Sequence, residues 1–257
     1  MEERHSAMDT TENTNDTETL FSIHNLTFGY QDKNVLNEVN FTINRGEFVC
    51  FMGPNGGGKS TLLQMMLGFL KQQSGDIFYK GRNVTEWLND PQLKREYHQQ
   101  VGILFQNVDI QLFNSTVYDE IAFGPKQMDL PAEEIENRVN DCLNIFGLNH
   151  LKENVPYHLS GGEKREVALA SVLALNPDVI LLDEPLVGLT YGNRAKLLRV
   201  FGQLNRIGKT IIMITHYFDQ VKDLATDYVI FGNHDAQKKT RAQVLEDPEL
   251  LQIVSEY

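Results

Sequence analysis

The sequence predicts an α/β fold with a mostly parallel sheet, an N-terminal antiparallel β part and an inserted α-helical part. Three observations predict it. Continuous apolar runs (Phe48-Val49-Cys50-Phe51-Met52, Val101-Gly102-Ile103-Leu104-Phe105, Val179-Ile180-Leu181-Leu182, Ile211-Ile212-Met213-Ile214, Tyr228-Val229-Ile230-Phe231) alternate with helical patterns, as expected of parallel strands covered on both faces. Near the N-terminus the texture is alternation instead: Leu26 and Phe28, then Val39, Phe41 and Ile43 interleaved with Asn40, Thr42 and Asn44, which gives strands with one wet face. Between about 107 and 160 no strand-type run occurs, while Ile135, Val139, Leu143 and Phe146 form one helical stripe.

Taken in order, residues 1–19 are polar and acidic and are expected to form a disordered tail, because almost nothing apolar offsets their ordering entropy. Arg45-Gly46 turns the chain into a central strand at 47–52. The run Leu62, Leu63, Met66, Leu67 and Leu70 then has helical spacing. Ile77-Phe78-Tyr79 is a short strand closed by a Lys80-Gly81 turn. Asn89-Asp90-Pro91 places a polar cap before a proline in the first turn of a helix. Val117–Phe123 is helical, and Pro131 opens a longer helix that Gly147 stops. Leu197, Leu198, Phe201 and Leu204 lie on one helix face, and the last 25 residues are expected to be a short polar and helical tail. Trp87 and Tyr157 are expected to be packing residues.

Composition narrows the function. The chain has 257 residues, 41% hydrophobic and 23% charged, enough for a sizeable core. Its net charge of -12 disfavours a nucleic-acid partner. Two cysteines, Cys50 and Cys142, provide neither a disulfide framework nor a metal spacing, and suit a reducing cytosol. No apolar run approaches the roughly 20 residues needed to span a bilayer, and no signal-peptide core opens the chain. Any membrane role is expected to come through a partner.

Three stretches carry chemistry. Gly53-Pro54-Asn55-Gly56-Gly57-Gly58-Lys59-Ser60, followed by Thr61, satisfies G-x-x-x-x-G-K-[ST] between a buried strand and a helix. Glycines let successive N–H groups curl into an anion nest, and the helix beginning at Lys59 directs its dipole at the same phosphates. Lys59 is the charge for the β/γ-phosphates and Ser60 a hydroxyl ligand for Mg²⁺. Asp183-Glu184 ends the run 179–182, where ligands of open parallel sheets gather. One carboxylate there can hold Mg²⁺ and the other can orient or deprotonate a water. An acidic pair that merely caps a strand is the bland alternative, and the P-loop upstream disfavours it. Leu159-Ser160-Gly161-Gly162-Glu163 precedes an amphipathic helix, with Ser160 as N-cap and exposed amides that make a second anion site.

In combination these motifs resemble those of the ATP-binding-cassette (ABC) ATPases, over essentially residues 20–232. The resemblance implies a P-loop NTPase (RecA-like) core at 20–106 and 161–232, a helical subdomain at about 107–160 and a short tail at 233–257. It implies ATP and Mg²⁺ as cofactors, with Tyr30 stacking on adenine and Gly53–Thr61 cradling the phosphates. Ser60, Gln106 and Asp183 would serve Mg²⁺, Glu184 would be general base, and His216 the switch histidine. Gln106 matches the Q-loop. Ser160, Gly161, Gly162 and Glu163 match the signature motif, which acts on ATP held by another subunit. Simple alternation puts Tyr30 on the core side with Phe28; the stacking role requires Gly29 to break that alternation.

Departures from the family pattern also matter. Gly57 stands where serine is common, and Glu166 where a basic or amide residue is frequent. Thr190 stands where the loop after Glu184 normally has aspartate. The partner ATPase is therefore either identical or, as Thr190 favours, a related subunit in a heterodimer. Phe105–Phe113 and Thr116–Pro125 are similar to the corresponding stretches of energy-coupling-factor and cobalt or biotin importers, with Val108 in place of a proline. This implies a peripheral subunit on the cytoplasmic face of the cell membrane, working with integral coupling and substrate-binding subunits to import a vitamin or metal ion. The alternatives are an ATPase of another importer or exporter subfamily, or a non-transport ABC ATPase acting on ribosomes or DNA.

Overall fold

The computed structural model describes residues 18–31 and 33–256, so the acidic stretch expected to be a tail lies almost wholly outside the described residues. The chain begins with β1 (Thr19–Tyr30), β2 (Lys33–Asn44) and β3 (Phe48–Met52), then α1 (Lys59–Met66), β4 (Ser74–Tyr79) and β5 (Arg82–Asn83). Two helices, α2 (Val84–Asn89) and α3 (Pro91–Gln100), lead into β6 (Val101–Leu104). Then come α4 (Val117–Gln127), α5 (Ala132–Phe146), α6 (Gly161–Leu173), β7 (Val179–Asp183) and α7 (Tyr191–Arg206). The remainder is β8 (Thr210–Ile214), α8 (Phe218–Val221), β9 (Asp227–Gly232), β10 (Asp235–Thr240), α9 (Arg241–Glu246) and α10 (Pro248–Ser255).

Two sheets result. The smaller is antiparallel, in the order β2-β1-β4-β5. The larger runs β10-β9-β3-β8-β7-β6, parallel throughout except for β10 at its edge. Every residue of β3 is buried, and its pleat divides them between two cores. Phe48, Cys50 and Met52 pack with the helices α4, α5 and α6, while Val49 and Phe51 pack with β1, β2 and α1. A strand in this position must be apolar on both faces, which accounts for its unbroken hydrophobic run.

Between β6 and β7 every described element is helical, including single 3₁₀ turns at Val108–Ile110, Asn149–Leu151 and Pro156–His158. Asp90 caps α3 by accepting from the backbone N–H groups of Gln92 and Leu93. Gly147 closes α5 in the left-handed region at φ 67°.

Two expectations change, and one unforeseen helix appears. Val84–Asn89 is a helix, capped by Asn83, that its short and mixed sequence does not announce. Residues 233–256 are more than a tail, because Asp235–Thr240 adds an antiparallel strand to the main sheet through a turn at Asn233-His234. As an edge strand carrying Lys238 and Lys239, β10 lacks the apolar run that marks the interior strands. Val244 and Val254 of the following helices are fully buried in the core beneath it. Trp87 is buried and donates its indole N–H to the carbonyl of Tyr79, but Tyr157 is 76% exposed, beneath the Lys164 ammonium.

Both cysteines are buried, and burial raises both thiols, Cys142 to about 12. A thiol-specific disulfide reagent at mildly alkaline pH is therefore expected to label neither cysteine in the native chain and both after denaturation. Rapid native labelling would contradict this packing.

Candidate functional site

Parallel strands bring the sequence-distant motifs to one rim. In register, Phe51 lies beside Ile214, Ile214 beside Asp183, and Leu104 beside Leu182. The segments after β3, β8, β7 and β6 consequently emerge side by side, carrying Gly53–Thr61, His216, Glu184 and Gln106.

The loop after β3 is built on glycine. Gly53 sits at φ 131°, and a Cβ there would lie 2.3 Å from the carbonyl oxygen of Phe231 in β9. Gly58 caps α1 at φ 101°, with Leu36 only 2.7 Å from a Cβ position. No other residue type meets both demands. Gly57 has ordinary backbone geometry, so it stands in for serine without a conformational reason. Among the described residues the N–H groups of Gly58, Lys59, Ser60 and Thr61 find no acceptor, which leaves four aligned donors at a helix start. Lys59 is 6% exposed and folds back to donate to the carbonyls of Gly53 at 2.7 Å and Pro54 at 2.8 Å. Burial lowers its pKa, and the Glu184 and Asp183 carboxylates oppose that shift.

Asp183 and Glu184 close the other side. Ser60 Oγ is 3.4 Å from Asp183 Oδ1. Burial first, then the neighbouring Glu184 charge, raises the Asp183 carboxyl above its ordinary range. Glu184 adopts a left-handed backbone at φ 47°, uncommon for a residue with a side chain, while its N–H donates to Ile214 O at 3.1 Å. Its carboxylate accepts from Gln106 Nε2 at 3.0 Å and lies 3.4 Å from His216 Nε2. Glu184, His216 and Gln106, the residues expected to be catalytic, thus form one cluster.

Asp183 and Ser60 fit a magnesium ion. Both are hard oxygen donors, 3.4 Å apart. Among the described residues no group of three or more His, Cys, Asp or Glu could hold a metal alone. Sharing the ion with substrate phosphates matches what Mg²⁺ requires.

The strand β1 breaks its alternation as the stacking role requires. Its pairing with β2 shifts register between Phe28 and Gly29, both are buried, and Tyr30 emerges 49% exposed. Tyr30 Oη approaches Thr61 Oγ1 at 3.5 Å. With Asn55, Gly56, Gly58, Lys59, Ser60, Thr61 and Glu184 it lines a cleft of about 240 Å³. Lys33 and Val35 line it too. Sequence reading missed both, since nothing local marks residues of a neighbouring hairpin.

Residues 159–163 do not line that cleft. Ser160 caps α6 in a capping box: Glu163 N–H donates to its Oγ, and the Glu163 carboxylate accepts from Ser160 N–H at 2.9 Å. The Ser160 contacts lower the Glu163 pKa. Ser160 and Gly161 are exposed. Thr190 caps α7 by accepting from Asn193 N–H, a task aspartate performs equally well. Glu166, buried, pairs with Lys196 of α7 at 2.7 Å, which gives the unexpected glutamate a structural partner.

A sequence profile described as ABC transporter matches residues 36–187. The chain belongs to the ABC transporter family. It is 43% identical over 232 residues to the nickel import ATP-binding protein LarO of Lactiplantibacillus plantarum, covering 89% of this chain and 96% of LarO. It is 39% identical over 228 residues to the energy-coupling factor transporter ATP-binding protein EcfA of Methanocaldococcus jannaschii, covering 88% and 81%. The structure of cbiO1 from Clostridium perfringens, part of the complex cbiONQ, aligns with a TM-score of 0.80 and 31% identity over 93% of this chain and 95% of cbiO1. The dimeric, ADP- and Pi-bound ATP-binding cassette MJ0796 aligns at 0.77 and 25% identity, over 86% and 99%. As a member of this family the chain binds and hydrolyses ATP.

Lys59→Ala is expected to weaken ATP binding by at least about tenfold, since a charge-assisted contact to phosphate contributes about 1.5–3 kcal/mol. Calorimetric titration with ATP measures it, and unchanged affinity would count against the cradle.

Proposed function

We propose that this chain is the ATP-hydrolysing subunit of an energy-coupling-factor type importer, on the cytoplasmic face of the cell membrane, driving uptake of a vitamin or metal ion. The cluster of Gln106, Glu184 and His216 beside Ser60 and Asp183 carries the hydrolytic reading. The likeness to LarO, EcfA and cbiO1 carries the transport class. Among the described residues no helix is long and apolar enough to cross a membrane, so the translocation path would belong to integral coupling and substrate-binding subunits.

Tyr30 stacks on the adenine. Lys59 leaves the carbonyls of Gly53 and Pro54 for the phosphates, and the amides of Gly58 to Thr61 donate to the same oxygens. Ser60, Asp183 and Gln106 would hold Mg²⁺, which when bound offsets phosphate charge. Glu184 accepts the proton of the attacking water and His216 steadies the transferred group. Ser160, Gly161, Gly162 and Glu163 serve the ATP of a second ATPase subunit, so the γ-phosphate joins two incomplete half-sites. That subunit is a copy of this chain or, as Thr190 in place of the family's aspartate favours, a related ATPase. When the γ-phosphate is released the halves part, and the segment after Gln106 passes the movement to the membrane subunits.

Glu184→Gln is expected to retain ATP, lose at least about 100-fold in turnover, and accumulate a closed dimer visible by size-exclusion chromatography. Turnover at the normal rate would reject the assignment. A pull-down from membranes in mild detergent is expected to recover a second ATPase and integral membrane subunits. Recovery of ribosomes or DNA instead would overturn the transport reading.

A further inference from the structure

Arg165 stands on the second turn of α6, 8% exposed, with its guanidinium turned into the protein. Its Nη2 donates to the carbonyl of Gln106 at 3.0 Å. Its Nη1 donates to the carbonyl of Pro185 at 3.2 Å and to that of Val187. Gln106 and Glu184 are the two residues whose side chains meet, and Pro185 directly follows Glu184. One cation therefore holds the backbone on both sides of the Gln106–Glu184 hydrogen bond.

We infer that Arg165 is a positioning residue for hydrolysis, setting the alignment of the Glu184 carboxylate with the Gln106 amide. The inference rests on the roles proposed above for those two residues.

Three features support it. Glu184 occupies a left-handed conformation, which persists only where its surroundings over-determine it. Its N–H is fixed to Ile214 O, and Arg165 fixes the carbonyl of the following residue, Pro185. Arg165 is also costly to keep where it is: burial works against its charge, and its acceptors are backbone carbonyls, with no carboxylate to repay the desolvation. The adjacent Lys164 binds Asp109 at 2.8 Å, so α6 grips the Gln106–Asp109 segment at two points. The fork geometry explains arginine here, since lysine presents a single point of donation.

The test uses the full chain in the assembly that supports its ATPase activity, and measures kcat, ATP affinity and thermal unfolding together. Arg165→Ala is expected to lower kcat by ~10- to 100-fold while ATP Kd changes by less than about threefold, because Lys59 and the amides of Gly58 to Thr61 are untouched. Arg165→Lys should fall between. In a Gln106→Ala background the factor caused by Arg165→Ala should shrink, because the alignment it maintains is already gone. A lowered melting temperature with kcat unchanged, or fully additive losses in the double variant, would overturn the inference. If Arg165→Ala does not fold, Arg165→Lys and Arg165→Gln carry the same comparison. Normal turnover of Glu184→Gln would remove the reading beneath this inference and the inference with it. Suppressed turnover there, with kcat unchanged in the Arg165 variants, would remove this inference alone.

Discussion

The backbone ladder joining β3, β8, β7 and β6 is the constraint from which the site follows. Its parallel register places the carboxyl ends of four strands on one rim, and parallel strands can share a rim only when helical crossovers return the chain each time. Those crossovers bury both faces of the sheet. A site on this rim therefore stands on the most completely buried part of the molecule, although its residues come from loops. Rigid strands holding short loops is the arrangement that precise chemistry needs.

Charge at the rim is deliberately unbalanced. Lys59, buried, faces two adjacent carboxylates without a direct ion pair and spends its protons on loop carbonyls. Asp183 is held above its ordinary range by burial and by Glu184. A cation and a polyanion together would satisfy such a site better than either alone: on the proposed reading, phosphates would relieve the amides and Lys59, and the cation would relieve Asp183. The Ser160–Glu163 turn takes no part in that cleft: Ser160 and Glu163 satisfy each other in a capping box, and Ser160 and Gly161 are exposed.

Much of this was legible in the residues. The four interior strands of the large sheet, β9, β3, β8 and β7, have no choice but to be apolar on both faces, so their sequences announce them. Gly53 and Gly58 stand where a side chain would strike Phe231 O or Leu36, and the motif exists because of such collisions. Strand β10 and helix α2 escaped notice because an edge strand and a one-and-a-half-turn helix need no distinctive pattern; their partners supply the stability. Tyr157 misled for the opposite reason. Aromatic character suggests burial, yet the residue lies on the surface under Lys164.

The linear order of residues by itself determined the phosphate loop, the acidic pair at the end of β7, the capped turn at Ser160 and the α/β class, because each depends on spacing within a few residues and on short-range sterics. Only the tertiary structure decided that Gln106, Glu184 and His216 touch, that Lys33 and Val35 wall the cleft, and that Arg165 grips carbonyls from two separate loops. Those relations join residues far apart in the chain through strand register and crossover packing. No local pattern encodes them, because the energy that fixes them comes from the whole core.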